Sequence, residues 1–279
     1  MSIPFRKYEA LGNDYFVIDP RDCPAPPNAH AVRLLCDRHY GIGSDGILYG
    51  PIPDNRSDTA GFRLRIFNPD GSEAEKSGNG IRIFARYLRD SGRVAGSEGI
   101  IVTAGGNVQF RYLDRGARRI EVDMGIVTFQ RIDEPLRIGT EDLRVTALSI
   151  GNPHCVVRFP GATAADAQRL GPQIETHPWF PNRTNVQLLD VIDRDRIRIQ
   201  IWERGAGYTF ASGSSSCASA SAAHRLGLVG EHVFVEMPGG VIEIDLDREG
   251  RVRMTGDVRA TFSGTISEDL AGRLERPSG

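Results

Sequence analysis

The chain has 279 residues, about twice a typical domain length, so two domains are the first expectation. Its 40% hydrophobic and 25% charged residues exclude a disordered or fibrous chain. With 34 basic against 36 acidic residues there is no positive field to hold nucleic acid or an anionic membrane, and no apolar run approaches the roughly 18 residues of a membrane span. The first residues carry Arg6, Lys7 and Glu9 where a signal peptide would be apolar, so a cytoplasmic protein is expected. Cys23, Cys36, Cys155 and Cys217 lack CxxC spacing, which indicates neither a zinc knuckle nor a disulfide framework. Lys7 and Lys76 are the only lysines, which leaves few candidates for a Schiff base with pyridoxal phosphate.

Along the chain, Phe5 to Ala10 reads as a strand, Leu11 to Asp14 as a turn and Tyr15 to Ile18 as a second strand. After the Pro-rich loop at Pro24 to Pro27, Ala31, Leu34 and Leu35 give His30 to Asp37 helical spacing. Phe62 to Asn68 alternates as a strand and Pro69-Asp70-Gly71-Ser72 is a turn. Ser77-Gly78-Asn79-Gly80 then opens a helix, in which Ile81, Phe84, Ala85 and Leu88 share one face.

The second half repeats this plan. Ile197 to Glu203 alternates as a strand, Gly205-Ala206-Gly207 turns, and Ser212 to Ser216 opens a helix containing Cys217 to Leu226. Val102 to Val108 corresponds to Val235 to Val241, and each is followed by strand, turn and strand. Ser77 precedes Gly105 by 28 residues and Ser212 precedes Gly239 by 27, which implies two copies of one α+β unit. Residues 1 to 115 are expected to form the first lobe, joined by 263 to 279, and residues 116 to 262 the second. A cleft between two such lobes is the natural place for a ligand. The free N–H groups and positive dipole end of each helix suit an anion such as a carboxylate, although Gly and Ser at such positions also serve simply as caps.

Gly12-Asn13-Asp14, Phe67 to Ser72, Ser77 to Gly80, Gly151 to Cys155, Asn185, Glu203 to Gly207 and Ser212-Gly213-Ser214 together resemble, in order, the diaminopimelate epimerase family. The resemblance runs over about residues 1 to 260. It implies two pseudo-symmetric lobes, each a curved, mostly antiparallel sheet around a central helix. It also implies a cofactor-independent amino-acid epimerase or racemase, a place in lysine biosynthesis, and a homodimer. Family members use two cysteines on opposite faces of the substrate α-carbon, one as base and one as acid, because inversion removes the proton from one face and returns it to the other.

By the resemblance, Ser77 and Ser212 occupy the two catalytic positions. Asn13, Asn68, Gly78, Asn79, Asn152, Asn185, Glu203, Arg204, Gly213 and Ser214 are the expected substrate contacts. Glu203 and Arg204 would pair with the ammonium and carboxylate of an amino acid. The departures lie at the centre. Serines stand where the family has thiols, Tyr208 where it commonly has Glu, and Gly46 in a stretch that commonly has an amide side chain. A serine hydroxyl is a far weaker acid than a thiol of pKa about 8.5. Lys76 and His154 are the alternative bases, whereas Cys217 lies inside an apolar helix as a packing residue. Beside the epimerase reading stand an isomerase or hydro-lyase on another amino acid and a catalytically silent amino-acid-binding protein.

Overall fold

The computed structural model describes residues 3–53 and 61–274; of the segments expected in the first lobe, 1–2, 54–60 and 275–279 lie outside the described residues. The chain divides into two compact units, residues 1–122 with 257–279 and residues 123–256.

The first unit runs through β1 (Ile3–Ala10), β2 (Asn13–Ile18), α1 (Ala29–Cys36), β3 (Ile47–Ile52), β4 (Phe62–Phe67), β5 (Glu73–Ala74), α2 (Gly78–Asp90), β6 (Glu98–Thr103), β7 (Gly106–Tyr112) and β8 (Arg119–Ile126). The chain enters the second unit within β8. There it forms β9 (Thr128–Ile138), β10 (Glu141–Ser149), β11 (Pro153–Arg158), α3 (Ala164–Glu175), β12 (Asn185–Val191), β13 (Arg196–Glu203), β14 (Gly207–Thr209), α4 (Gly213–Arg225), β15 (His232–Met237), β16 (Gly240–Leu246) and β17 (Arg251–Asp257). It returns to the first unit with β18 (Arg259–Ile266) and α5 (Glu268–Leu274).

Strand pairing repeats between the units. In the first, β18, β1 and β2 pair antiparallel, β2 pairs parallel with β3, β3 antiparallel with β4, β4 parallel with β6, and β6 and β7 continue antiparallel to β8. In the second, β9, β10 and β11 pair antiparallel, β11 is parallel to β12, β12 antiparallel to β13, β13 parallel to β15, and β15 antiparallel to β16, which pairs with β17. The short β5 and β14 add to β4 and β13. Each sheet is therefore mostly antiparallel with two parallel pairs. A parallel pair needs a crossover, and α2 and α4 are the crossovers between β4 and β6 and between β13 and β15.

These two helices are central. Each has 13 residues and buries ten of them. A helix buried nearly all round belongs in a core. Contacts of α4 reach β10, β11, β12, β13, β15 and β16. A straight helix touches so many strands of one sheet only when the sheet curls around it. The Ser and Ala side chains of α4 are small enough to permit that approach, and Cys217 is completely buried among them. In β16, Ile242, Ile244 and Leu246 are buried while Glu243 and Asp245 are partly exposed, the period-two pattern of a sheet with one core face.

On the other side of each sheet lie α1 and α3. Val32 and Leu35 pack with Phe5, Phe16, Ile47 and Phe67, and Leu170 and Ile174 pack with Val145, Val157, Val186 and Leu188. Thr163 and Asp166 close a reciprocal capping box at the start of α3. Further along that helix, a Cβ at Gly171 would lie 2.4 Å from Cγ of Trp202, so the ring is seated on bare backbone. Gly171→Ala is expected to destabilise the protein by about 1 to 3 kcal/mol through overpacking. The check is a lower denaturant midpoint with an unchanged slope.

Candidate functional site

In the first unit the site residues gather around the β1–β2 turn and the head of α2. Leu11 and Gly12 turn the chain with φ of 57° and 78°, which delivers Asn13 and Asp14 to the start of β2. Asp14 pairs with Lys7 at 2.6 Å and with Arg38 at 2.8 Å, and Arg38 also reaches Asp45 at 2.8 Å. Burial alone would raise the Asp14 carboxyl, but hydrogen bonds from Arg38 and Lys7 outweigh it and hold the group down to about 2.

This charged group anchors an amide chain. Asn13 Nδ2 donates to Asp45 at 3.0 Å, Asn79 Nδ2 donates to Asn13 Oδ1 at 3.2 Å, and the fully buried Arg82 donates to Asn79 Oδ1 at 2.8 Å. Ser77 is the N-cap of α2, with extended backbone and a hydroxyl that accepts from Gly80 N–H at 3.1 Å. Gly78 and Asn79 begin the helix, where N–H groups have no intrahelical partner. Asn68 stands apart from this group, donating to Ser72 Oγ at 3.0 Å in the turn after β4. Lys76 is partly exposed.

In the second unit Ser212 caps α4 with a similar extended backbone, but its side chain makes no capping bond. The Ser212 hydroxyl instead lies near the Glu203 carboxyl and favours its charged form. Glu203 is partly exposed as a residue, yet its carboxyl is crowded by protein. That burial raises it above the ordinary carboxylate range, and the nearby Ser212 hydroxyl only partly offsets the rise. Gly213 and Ser214 form the first turn. Asn185 bridges two segments, donating to Pro153 O at 2.9 Å and accepting from Arg204 N–H at 3.0 Å. The Arg204 side chain is exposed and reaches Asn182 O at 3.4 Å.

A buried polar line supports this head. His154 Nε2 meets Asn152 Oδ1 at 3.0 Å, its Nδ1 meets Gln187 Nε2 at 3.1 Å, and Gln187 Nε2 also donates to Ser215 Oγ at 3.0 Å. Asn152 and Gln187 thus occupy the two ring nitrogens of His154. Burial pushes its pKa down to about 3. Both ring nitrogens are engaged and the residue is buried, so His154 is a strut between Asn152 and α4.

Sequence reasoning did not find Tyr15, Asp45, Glu175 or Gln187. Tyr15 O–H lies 3.4 Å from Ser77 Oγ. Glu175 accepts from Trp202 Nε1 at 2.7 Å and from Gly205 N–H at 3.0 Å, which holds the turn carrying Glu203 and Arg204. The only local signal for any of them was Gln187, a polar residue between the apolar Val186 and Leu188 of β12.

Comparison with known proteins gives a consistent result. The diaminopimelate epimerase family profile matches residues 5–130 and 146–261. The chain is 48% identical to diaminopimelate epimerase 2 of Nostoc sp. strain PCC 7120, over 95% of this chain and 96% of that protein. It is 37% identical to the diaminopimelate epimerase of Moorella thermoacetica, over 95% and 99%. Among solved structures, a hydroxyproline epimerase from Agrobacterium vitis superposes with a TM-score of 0.72 at 16% identity, covering 96% of this chain and 93% of that one. A phenazine biosynthesis protein of the PhzF family from Bacillus anthracis gives 0.70 at 16% identity, covering 96% and 99%. Both likenesses concern the fold.

The neutral, buried His154 sets an acid limb of stability. A histidine whose pKa falls on folding contributes stability that is complete above its unfolded value of about 6.5 and is lost as pH falls toward its folded value of about 3. Unfolding free energy is expected to drop across that window, and His154→Gln to flatten the slope by up to about 1.4 kcal/mol per pH unit. Urea denaturation at a series of pH values checks this.

Proposed function

The chain belongs to the diaminopimelate epimerase family, and on that footing we propose that it inverts the α-carbon of an amino acid without a cofactor, with diaminopimelate as its substrate. The observation that carries the reading is the repeated placement of a serine at the head of a central, buried 13-residue helix in each unit. Ser77 and Ser212 are assigned the acid and base roles. The first-turn N–H groups at Gly78, Asn79, Gly213 and Ser214 suit the α-carboxylate and the negative charge that develops as the proton leaves. Asn13, Asn68, Asn152 and Asn185, with Glu203 and Arg204, complete the assigned substrate contacts.

A serine alone is a poor base, so its neighbours matter. Glu203, near Ser212 and raised above the usual carboxylate range by burial, can take the hydroxyl proton as Ser212 takes the α-proton. Assembly as a homodimer, a cytoplasmic setting and a place in lysine biosynthesis belong to the same proposal. Among the described residues, no helix is long and apolar enough to cross a membrane.

The test is incubation in deuterated water with diaminopimelate and a panel of L- and D-amino acids, followed by NMR. Diaminopimelate is expected to gain deuterium at its α-carbon as its stereoisomers interconvert. Exchange confined to another amino acid would replace the substrate, and binding without exchange would leave a silent binding protein. Arg204→Ala and Asn79→Ala are each expected to weaken binding by about 1 to 3 kcal/mol in calorimetry, through lost charged or buried hydrogen bonds. The double change Ser77→Cys with Ser212→Cys is expected to raise epimerisation strongly and either single change much less, since thiol and thiolate coexist near neutrality.

A further inference from the structure

The head of α2 has a neighbour that the family assignments above leave unused. Tyr15, on β2, is 6% exposed and its phenol oxygen lies 3.4 Å from Ser77 Oγ. The ring has room because position 46 carries no side chain. A Cβ at Gly46 would stand 2.5 Å from Tyr15 Cε1 and 2.5 Å from the Phe67 carbonyl oxygen. Gly46 also has a φ of +156°, a conformation that side chains rarely adopt. The loop that holds this glycine is pinned: Ser44 Oγ donates to Gly46 O at 2.9 Å, and Asp45 N–H donates to Asp14 O at 2.8 Å. Tyr15, Gly46 and Ser77 thus form one packed arrangement.

The chemistry of Ser77 calls for such a neighbour. Its oxygen already accepts from Gly80 N–H, which favours negative charge on that atom. A hydroxyl that must take a proton from carbon has to pass on its own. A phenolate, whose conjugate acid has an ordinary pKa of about 10, is a far stronger acceptor for that proton than bulk water. We propose that Tyr15 is the proton-relay partner of Ser77, acting through the serine hydroxyl on the face of the substrate that Ser77 serves. The proposal rests on the epimerase reading.

With Ser77 as base, the α-proton passes to Oγ while the serine proton passes to a Tyr15 phenolate. The C–H bonding pair stays on the α-carbon. With Ser77 as acid, its proton passes to that carbon while the phenol proton passes to Oγ, leaving phenolate. Both directions balance without an oxidant, a reductant or a further reactant. Tyr15 touches Ser77 rather than the substrate and is a positioning residue. A 3.4 Å separation is long for two hydroxyls, and such bonds tighten when the substrate complex forms.

The experiment follows α-hydrogen exchange in diaminopimelate by NMR in deuterated water. Tyr15→Phe keeps the ring and is expected to lower the exchange rate by about 100-fold or more. Replacing Tyr15 with mono-, di- and trifluorotyrosine keeps its shape while making the phenol progressively more acidic. The logarithm of the rate is expected to move steadily along that series, which a purely structural ring would not cause. In a Ser77→Cys background the thiol supplies its own acidity, and Tyr15→Phe is expected to cost less than about threefold. A flat fluorotyrosine series, a Tyr15→Phe rate within about threefold of wild type, or an equal loss in both backgrounds overturns the relay while the epimerase reading stands. A wild-type protein that exchanges no α-hydrogen in diaminopimelate overturns that reading, and the relay with it.

Discussion

An enclosed helix leaves backbone N–H groups free for a ligand only where it begins, and α2 and α4 are both enclosed. Several polar side chains of their interiors bond within the same helix, although Ser219 Oγ of α4 is buried without a hydrogen-bond partner. Ser216 and Ser221 of α4 bond back to the carbonyls of Ser212 and Cys217, at 2.9 Å and 2.7 Å. The buried Arg82 of α2 is tied to Asn79. Enclosure also sets the residue types, since strands approach α4 on many sides only if its side chains are small. The first-turn N–H groups, with the partial positive charge of the helix end, are the backbone donors that each helix leaves without an intrahelical partner.

The two heads share a backbone and differ in side-chain wiring. Ser77 is a conventional cap that accepts from Gly80, with a phenol beyond it. Ser212 leaves its cap position unbonded and stands near a carboxyl whose pKa burial has raised. Thiols in these places would ionise near neutrality by themselves. Hydroxyls do not, so any proton they move is governed by the group behind them. The rest of each unit holds those groups still: the Lys7, Asp14, Arg38 and Asp45 cluster beneath Asn13, and Glu175 beneath the Glu203 to Gly207 turn.

The latter half of the repeat was legible because its landmarks are glycine turns and small-residue helix heads, whose spacing backbone geometry constrains. The earlier half of the second unit was not. β10, β11 and α3 match β1, β2 and α1 in pairing and order, but apolar strands tolerate wide substitution and the loops between them differ in length. The asparagines show a similar limit. Their residue type suggested contacts to a ligand, and only the folded chain shows the groups that orient them, Asp45 and Asn79 for the Asn13 amide and Pro153 and Arg204 for the Asn185 amide.

The sequence by itself determined the two-copy α+β plan, the helix heads at Ser77 and Ser212, and the absence of thiols there. All of these depend on local propensity and on spacing along the chain. Only the tertiary structure decided which side chain stands behind each hydroxyl. Tyr15 and Ser77 are 62 positions apart, and His154 and Gln187 are 33 apart. They meet because the parallel register of β11 with β12 sets His154 against Asn185, two residues from Gln187, and because a missing side chain at Gly46 leaves space for one ring. Such meetings depend on strand register and excluded volume, which no local pattern encodes.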